Sequence, residues 1–81
     1  MPTVLRQGAY RFYFFSHEPN EPPHVHVDRD SCSAKVWLQP VALARNVGFS
    51  ASELTGIIRM VQTQQLVLKE AWDEYFGNQR G

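Results

Sequence analysis

Two histidines and an aspartate alternate with valines in the segment His24-Val25-His26-Val27-Asp28. Successive side chains of an extended strand point to opposite faces, so the polar side chains share one face and the valines the other. Imidazole exchanges a proton near neutral pH and also binds zinc and nickel. The spacing indicates acid–base chemistry at His24 and His26, or a divalent metal site formed by His24, His26 and Asp28. No cofactor is expected otherwise.

A structural role for the two histidines is the alternative. The preceding loop, residues 17–23, contains three prolines that restrict the backbone and make the loop stiff. In this interpretation the imidazoles hydrogen-bond carbonyl groups of that loop. In the metal interpretation, His17, Glu18 and Glu21 of the same loop approach the histidines and supply further ligands.

A larger set of polar and aromatic residues shares the face of the histidines if the more apolar side of each strand packs against a helix. Arg11 and Lys35 would bind phosphate, while Tyr13 and Trp37 would stack on bases. With a histidine as general acid or base, this set is consistent with a small metal-independent ribonuclease. A solvated sheet face and a dimer interface are the alternatives. The whole set is Arg11, Tyr13, His24, His26, Asp28, Lys35 and Trp37.

Composition excludes several classes of protein. The 81 residues include eight basic and eight acidic side chains, so the formal net charge is zero and any RNA binding must be local. The single cysteine, Cys32, cannot form an internal disulfide, and its neighbours do not activate it as a nucleophile. The chain has no phosphate-binding glycine loop, paired-cysteine zinc motif or membrane-spanning apolar run. We expect no signal peptide, because residues 1–6 lack its apolar run. We expect a cytoplasmic protein that does not bind membranes.

The first half of the chain has the pattern of strands that must position these residues. β-branched and aromatic runs are interrupted by glycine or proline at short intervals. We expect a small antiparallel sheet of about four strands, in which Val41–Ala44 is either a short edge strand or helical. Tyr10, Phe12 and Phe14 are the expected core face of the second strand. The predicted strands are Thr3–Arg6, Tyr10–Ser16, His24–Asp28 and Ala34–Leu38, with a turn over Arg29–Ser33.

The second half is predicted to be helical. The serine and glutamate of Ser50-Ala51-Ser52-Glu53 match a capping box, which marks the start of a helix. Apolar residues then recur at helical spacing as far as Phe76, and Gly77 is the expected stop. A helix of this length exceeds what a small sheet needs, so we expect a bend near residues 63–66. The fold class is α+β, one domain over residues 1–81, with the helix packed on one face of the sheet. The apolar stripe is Leu54, Ile57, Ile58, Val61, Leu68, Trp72 and Phe76.

Six segments of the chain form one pattern: residues 1–6, 10–14, 21–27, 34–38, 48–50 and 70–77. Together they resemble the bacterial domain-of-unknown-function 4160 family over nearly the whole chain. The resemblance implies a gene beside that of another small protein, in an arrangement of the toxin–antitoxin kind. It also implies a set of site residues, while His17 departs from the family pattern. The implied site residues are Glu18, Glu21, Pro22, Pro23, His24 and His26.

Three functions follow as hypotheses. The first is a component of a toxin–antitoxin-like module that acts on RNA through His24 and His26, with Arg11 and Lys35 on the phosphate. The second is a non-catalytic, antitoxin-like module that binds the small protein encoded by the neighbouring gene. The third is a divalent-metal-binding protein. A homodimer is compatible with each of them, and whether the chain is an enzyme stays open.

Overall fold

A computed structural model describes residues 3–15 and 20–77 of the chain. Five strands form one antiparallel sheet in the order β1-β2-β3-β4-β5, so strands consecutive in the chain are neighbours in the sheet. Two helices follow, and the α+β class predicted from the sequence is confirmed. The elements are β1 (Thr3–Gln7), β2 (Tyr10–Tyr13), β3 (His24–Arg29), β4 (Cys32–Leu38), β5 (Val41–Val47), α1 (Ala51–Thr63) and α2 (Gln65–Gly77).

Tight two-residue turns join three of the four neighbouring strand pairs, β1–β2, β3–β4 and β4–β5. The β1–β2 turn begins with Gly8 (φ 60°) and the β3–β4 turn begins with Asp30 (φ 54°), both in the left-handed region that two-residue hairpin loops use. Gln39 and Pro40 join β4 to β5. Because the β3–β4 turn is so short, β4 begins at Cys32, two residues before the predicted start.

Two predicted strand ends are wrong. β2 ends at Tyr13, although Phe14 beyond it is still fully buried; the predicted end at Ser16 lies outside the described residues. β5 continues to Val47 and does not stop at Ala44. Val41–Ala44 is therefore part of an edge strand, as one of the two alternatives predicted, and the sheet has five strands where about four were expected. The register between β4 and β5 shifts between Lys35 and Val36, which indicates a β-bulge.

The hydrophobic core lies between one face of the sheet and the two helices. The predicted apolar stripe supplies the helical half of this core: Ile57, Val61, Leu68, Trp72 and Phe76 are buried. Phe12, Phe14, Val25, Val27 and Val36 come from the sheet side. The face of the sheet that the helices cover is called the inner face below, and the opposite face the outer face.

The helical half is interrupted where the sequence predicted a bend. Ser50 caps α1 by accepting a hydrogen bond from the backbone N–H of Glu53, and α1 ends at Thr63. Gln64 breaks the helix, and the Gln65 side chain donates to the carbonyl oxygen of Leu38 at 2.6 Å. This contact ties the start of α2 to the end of β4. Within the described residues, neither helix is long and apolar enough to cross a membrane.

Candidate functional site

One row of side chains crosses four strands on the outer face. Tyr13 of β2 is paired with His26 of β3, His26 with Lys35 of β4, and Lys35 with Arg45 of β5. Directly paired residues of antiparallel strands lie on the same face with their Cβ atoms about 5 Å apart. The strand order therefore brings the histidine, the lysine and an arginine side by side.

A groove of about 480 Å³ runs along this row. Four residues predicted from the sequence as catalytic or binding residues line it: Tyr13, His26, Lys35 and Trp37. Arg45 also lines it and was missed, because the predicted edge strand stopped one residue earlier. Strict alternation would place Arg45 on the inner face with Val41 and Leu43, so no local signal could have found it; the β-bulge between β4 and β5 turns it to the outer face. The remaining lining residues are Phe15, Ser33, Ala34, Ala44 and Val47.

His24 is fully buried and lies beside the groove. Its Nδ1 donates a hydrogen bond to the carbonyl oxygen of Pro22 at 2.9 Å. The ring lies 5.6 Å from the Trp37 ring and 5.0 Å from the Trp72 ring of α2, measured between centroids. These contacts match the structural alternative, in which a histidine binds a carbonyl of the proline loop.

His26 has a different environment from His24. Its ring is stacked on Tyr13 at 5.3 Å and meets Phe15 edge-on at 4.4 Å. The His24 ring packs against it at 5.2 Å. His26 is 8% exposed to solvent and lines the groove. Of the two predicted histidines, His26 is the one that a ligand in the groove would meet.

Lys35 is the central cation of the groove. Its Nζ lies 2.5 Å from Oε1 of Glu21, a residue of the proline loop, and 4.8 Å from the centre of the Trp37 ring. On the other side it faces Arg45 across the β4–β5 pair. Lys35 is thus held between one carboxylate, one aromatic ring and a second positive charge.

Tyr13 and Asp28 form a hydrogen-bonded pair at one end of the row. The Tyr13 hydroxyl lies 3.1 Å from both carboxylate oxygens of Asp28. Burial raises the pKa of the Tyr13 phenol above its ordinary value of 10.0, and the Asp28 carboxylate raises the pKa further. The guanidinium carbon of Arg11 lies 4.5 Å from the centre of the Tyr13 ring. Arg11 therefore packs on the Tyr13 ring at the end of the row, beside the residues that line the groove.

The predicted metal ligands are not brought together as a set of three. In residues 3–15 and 20–77, no three His, Cys, Asp or Glu side chains are grouped so that they could hold a metal ion. The Asp28 carboxylate accepts a hydrogen bond from the Tyr13 hydroxyl, and the Pro22 carbonyl oxygen accepts one from Nδ1 of His24. Glu18, a predicted binding residue, lies outside the described residues, as does His17. Metal binding at His24, His26 and Asp28 stays a prediction.

Positive charge is concentrated on the outer face although the chain is neutral. Arg6 is paired with Arg11, and Lys35 with Arg45, so four of the eight basic residues lie on this face. Two further basic residues belong elsewhere: Arg29 binds Glu53 at 2.6 Å, and Lys69 binds Asp73 at 2.7 Å on α2. Asp28 lies opposite Arg11 and Glu21 binds Lys35, so the excess of positive charge among these side chains is smaller than the four cations alone suggest. A neutral RNA-binding chain would require such a local excess.

The comparison with protein families agrees with the resemblance seen in the sequence. The family model for the domain of unknown function DUF4160 matches residues 9–73. This match covers most of the chain, which therefore belongs to the DUF4160 family. No curated protein and no solved structure matched the chain.

Proposed function

We propose that this chain binds single-stranded RNA in the outer-face groove, as a component of a toxin–antitoxin-like module. The observation that carries the proposal is the direct pairing of Lys35 with Arg45 in a groove that also contains Trp37. Like charges placed directly opposite each other destabilise a sheet. The Glu21 carboxylate offsets part of this repulsion at Lys35, and an anionic ligand that contacts both cations would offset it at Arg45 as well.

The aromatic side chains of the groove favour nucleotides over simple anions. Every base has a π-face, so stacking on aromatic rings binds single strands with little sequence preference. Trp37 and Phe15 supply aromatic surface within one groove. Tyr13 was also predicted to stack on bases, but its ring is 5% exposed and is covered by His26 and Arg11. The volume of about 480 Å³ lies in the range of small-molecule sites, which suits one or two unstacked nucleotides. Bases in a duplex are not available for such stacking.

His26 is the candidate for proton transfer if the bound RNA is also cleaved. It is the histidine among the lining residues and is a direct neighbour of Lys35. A neutral imidazole would accept the proton of a ribose 2′-hydroxyl as its oxygen bonds to phosphorus, and Lys35 would stabilise the added charge on the phosphate. The bond from phosphorus to the 5′-oxygen would break, giving a 2′,3′-cyclic phosphate, and the departing 5′-oxygen would take a proton from water or from the protonated imidazole. In this proposal His24 and Arg11 are positioning residues: His24 packs on His26, and Arg11 packs on Tyr13.

Fluorescence anisotropy with a labelled single-stranded RNA tests the binding proposal. We expect Lys35→Met and Arg45→Met each to weaken binding and to lower the slope of log K against log salt by about 0.7, the value for one phosphate contact on a single strand. Lys69→Met is the matched control, because it removes one positive charge on α2, where Lys69 binds Asp73. The control should bind like the wild type. Absence of binding by the wild type, or an equal loss in the control, would contradict the proposal.

The same purified protein tests the other two functions. Co-purification with the small protein encoded by the neighbouring gene, without any RNA binding, would favour the antitoxin-like module. For the metal hypothesis, the zinc and nickel content of protein prepared without a histidine tag is the measurement. Less than about one-tenth of an equivalent would contradict a resident metal ion.

A further inference from the structure

We propose that Glu21 is a built-in competitor for the phosphate position on Lys35, so that the groove selects polyanions over single anions. This inference rests on the proposed RNA binding. Glu21 Oε1 lies 2.5 Å from Lys35 Nζ, which is where a ligand phosphate oxygen would bind. A carboxylate and a phosphate make the same charge-assisted hydrogen bond to an ammonium group.

Glu21 is held next to Lys35 by its own loop and not by the sheet ladder. The two residues after Glu21 are anchored: the carbonyl of Pro22 accepts from His24 Nδ1, and the carbonyl of Pro23 accepts from the backbone N–H of Leu38 at 2.9 Å. These two bonds fix the backbone beside Glu21. Its carboxylate is therefore kept at a high local concentration around the ammonium group of Lys35.

The Glu21 side chain can leave Lys35 without disturbing the sheet. Glu21 lies in the loop and its side chain is 41% exposed, whereas that of Lys35 is 19% exposed. Rotation of the Glu21 side chain into solvent breaks the ion pair and leaves both anchoring backbone bonds in place. A ligand anion can therefore replace the Glu21 carboxylate at Lys35.

This arrangement determines which anions gain from binding. A single anion that binds Lys35 replaces the ion pair between Glu21 and Lys35 with a similar one. The displaced Glu21 carboxylate then stays in the groove beside the bound anion. An RNA strand also contacts Arg45 and stacks on Trp37, so it gains contacts that Glu21 does not offer. Two linked contacts bind more tightly than either alone because the second is intramolecular. Glu21 therefore discriminates against mononucleotides and free phosphate.

Glu21→Gln is the test variant, because the amide has the same shape and no charge. Binding of a labelled single-stranded RNA should become about threefold to fivefold tighter at low salt, the range expected for loss of one competing surface ion pair. The slope of log K against log salt should become steeper by up to about 0.7, because no freed carboxylate retains a cation. In a Lys35→Met background the same change should have no effect. Glu70→Gln, an exposed change on α2, is the charge-matched control and should leave affinity unaltered.

Binding of inorganic phosphate and of a mononucleotide, followed by tryptophan fluorescence, provides the second measurement. We expect Glu21→Gln to strengthen these weak ligands by a larger factor than RNA. Glu21→Asp retains the charge on a shorter side chain and should lie between the wild type and Glu21→Gln, which keeps the test valid if the amide variant folds poorly.

The outcomes separate this inference from the proposed function. If the wild type binds RNA and folded Glu21→Gln binds it no more tightly, the role of Glu21 is wrong and RNA binding stands. A gain that persists in the Lys35→Met background also overturns it. If no folded variant binds RNA, the proposed function fails, and the competitor role fails with it.

Discussion

The Nδ1 atom of His24 lies 2.9 Å from the carbonyl oxygen of Pro22, and this hydrogen bond ties β3 to the loop that precedes it. His26, two residues later on the same face, lines the outer-face groove. The two histidines are equivalent in the sequence pattern but differ in their surroundings. His24 is enclosed by rings from β4 and α2, so we expect it to contribute to stability, whereas we expect His26 to contact a ligand bound in the groove.

Replacement of His24 should destabilise the fold more than replacement of His26. His24→Ala leaves a cavity among packed rings and an unpaired Pro22 carbonyl, so we expect a loss of about 3 kcal/mol in the free energy of unfolding. His26→Ala should lose about 1 kcal/mol, since its ring borders the groove. Urea unfolding followed by circular dichroism measures both. His24→Asn keeps a donor near Nδ1 and should recover part of the loss; equal losses for the two alanine variants would contradict these roles.

Stability should fall in acid because of the ion pair between Glu53 and Arg29. The Arg29 guanidinium, with Nη2 at 2.6 Å, lowers the pKa of Glu53 below its ordinary value of 4.5, and the Tyr10 hydroxyl at 3.0 Å adds to this effect. A lowered pKa in the folded state gives stability that is present above pH 4.5 and is lost as pH falls through the folded value. We expect Glu53→Gln to be less stable at pH 7 and to lose less stability towards pH 3.

Urea midpoints measured from pH 7 to pH 3 test this pH dependence. Glu70→Gln is the control, because it removes an exposed carboxylate of α2 that is far along the chain from the Arg29 pair. The control should follow the wild-type profile. A Glu53→Gln profile parallel to that of the wild type would show that another carboxylate is responsible.

The Tyr13 phenol should ionise above pH 10.0, and Asp28 should contribute to this shift. Burial comes first among the causes that raise the pKa, followed by the hydrogen bond to Asp28. Asp28→Asn should lower the pKa towards its ordinary value and leave the part due to burial. Absorbance at the phenolate band measures it in a Tyr10→Phe, Tyr75→Phe background, where Tyr13 is the remaining tyrosine of three. Asp30→Asn, in the exposed β3–β4 turn, should not change it; an unchanged pKa in Asp28→Asn would contradict the prediction.

Because the folded pKa of Tyr13 is raised, its contribution to stability is present below pH 10.0 and is lost as pH rises through the folded value. The stability of the wild type should therefore fall as Tyr13 ionises, in addition to the loss due to Tyr10, whose pKa is also raised by burial. Tyr13→Phe removes this step, and its stability should vary less over the same pH range.

Alanine should have opposite effects at two glycines. Gly48 follows β5 with φ 94°, and a Cβ there would lie 3.0 Å from Sγ of Cys32. Gly48→Ala should cost about 1–2 kcal/mol through backbone strain and crowding. Gly56 lies inside α1, and a Cβ there meets nothing within 4 Å, so Gly56→Ala should gain about 0.5–1 kcal/mol from helix propensity.

Thermal unfolding of the two glycine variants is the measurement. Cys32→Ala combined with Gly48→Ala should recover only the part of the loss that is due to crowding, since the strain at positive φ remains. A stabilised Gly48→Ala protein would contradict the strain argument.

Several features of the fold were predictable because they depend on residues that are close in the sequence. Alternation in residues 24–28 placed the valines on the inner face, and the Ser50 cap and the bend near residue 64 were located by local signals. The capping box did not predict the partners of the Glu53 side chain. Oε2 of Glu53 accepts hydrogen bonds from Arg29 and Tyr10 of the sheet. A side chain's long-range partners are not encoded in local spacing.

The site depended on tertiary structure for its partners. From the sequence alone, His24, His26 and Lys35 could be assigned to one face, because the side of a strand follows from its period of two. The pairing of Lys35 with Arg45 required the strand order and a bulge between β4 and β5. The burial of His24 required Trp72, which lies 48 residues away on α2, and the Glu21–Lys35 contact required the path of the proline loop. Local periodicity determines the face, whereas register and helix packing determine which side chains meet there.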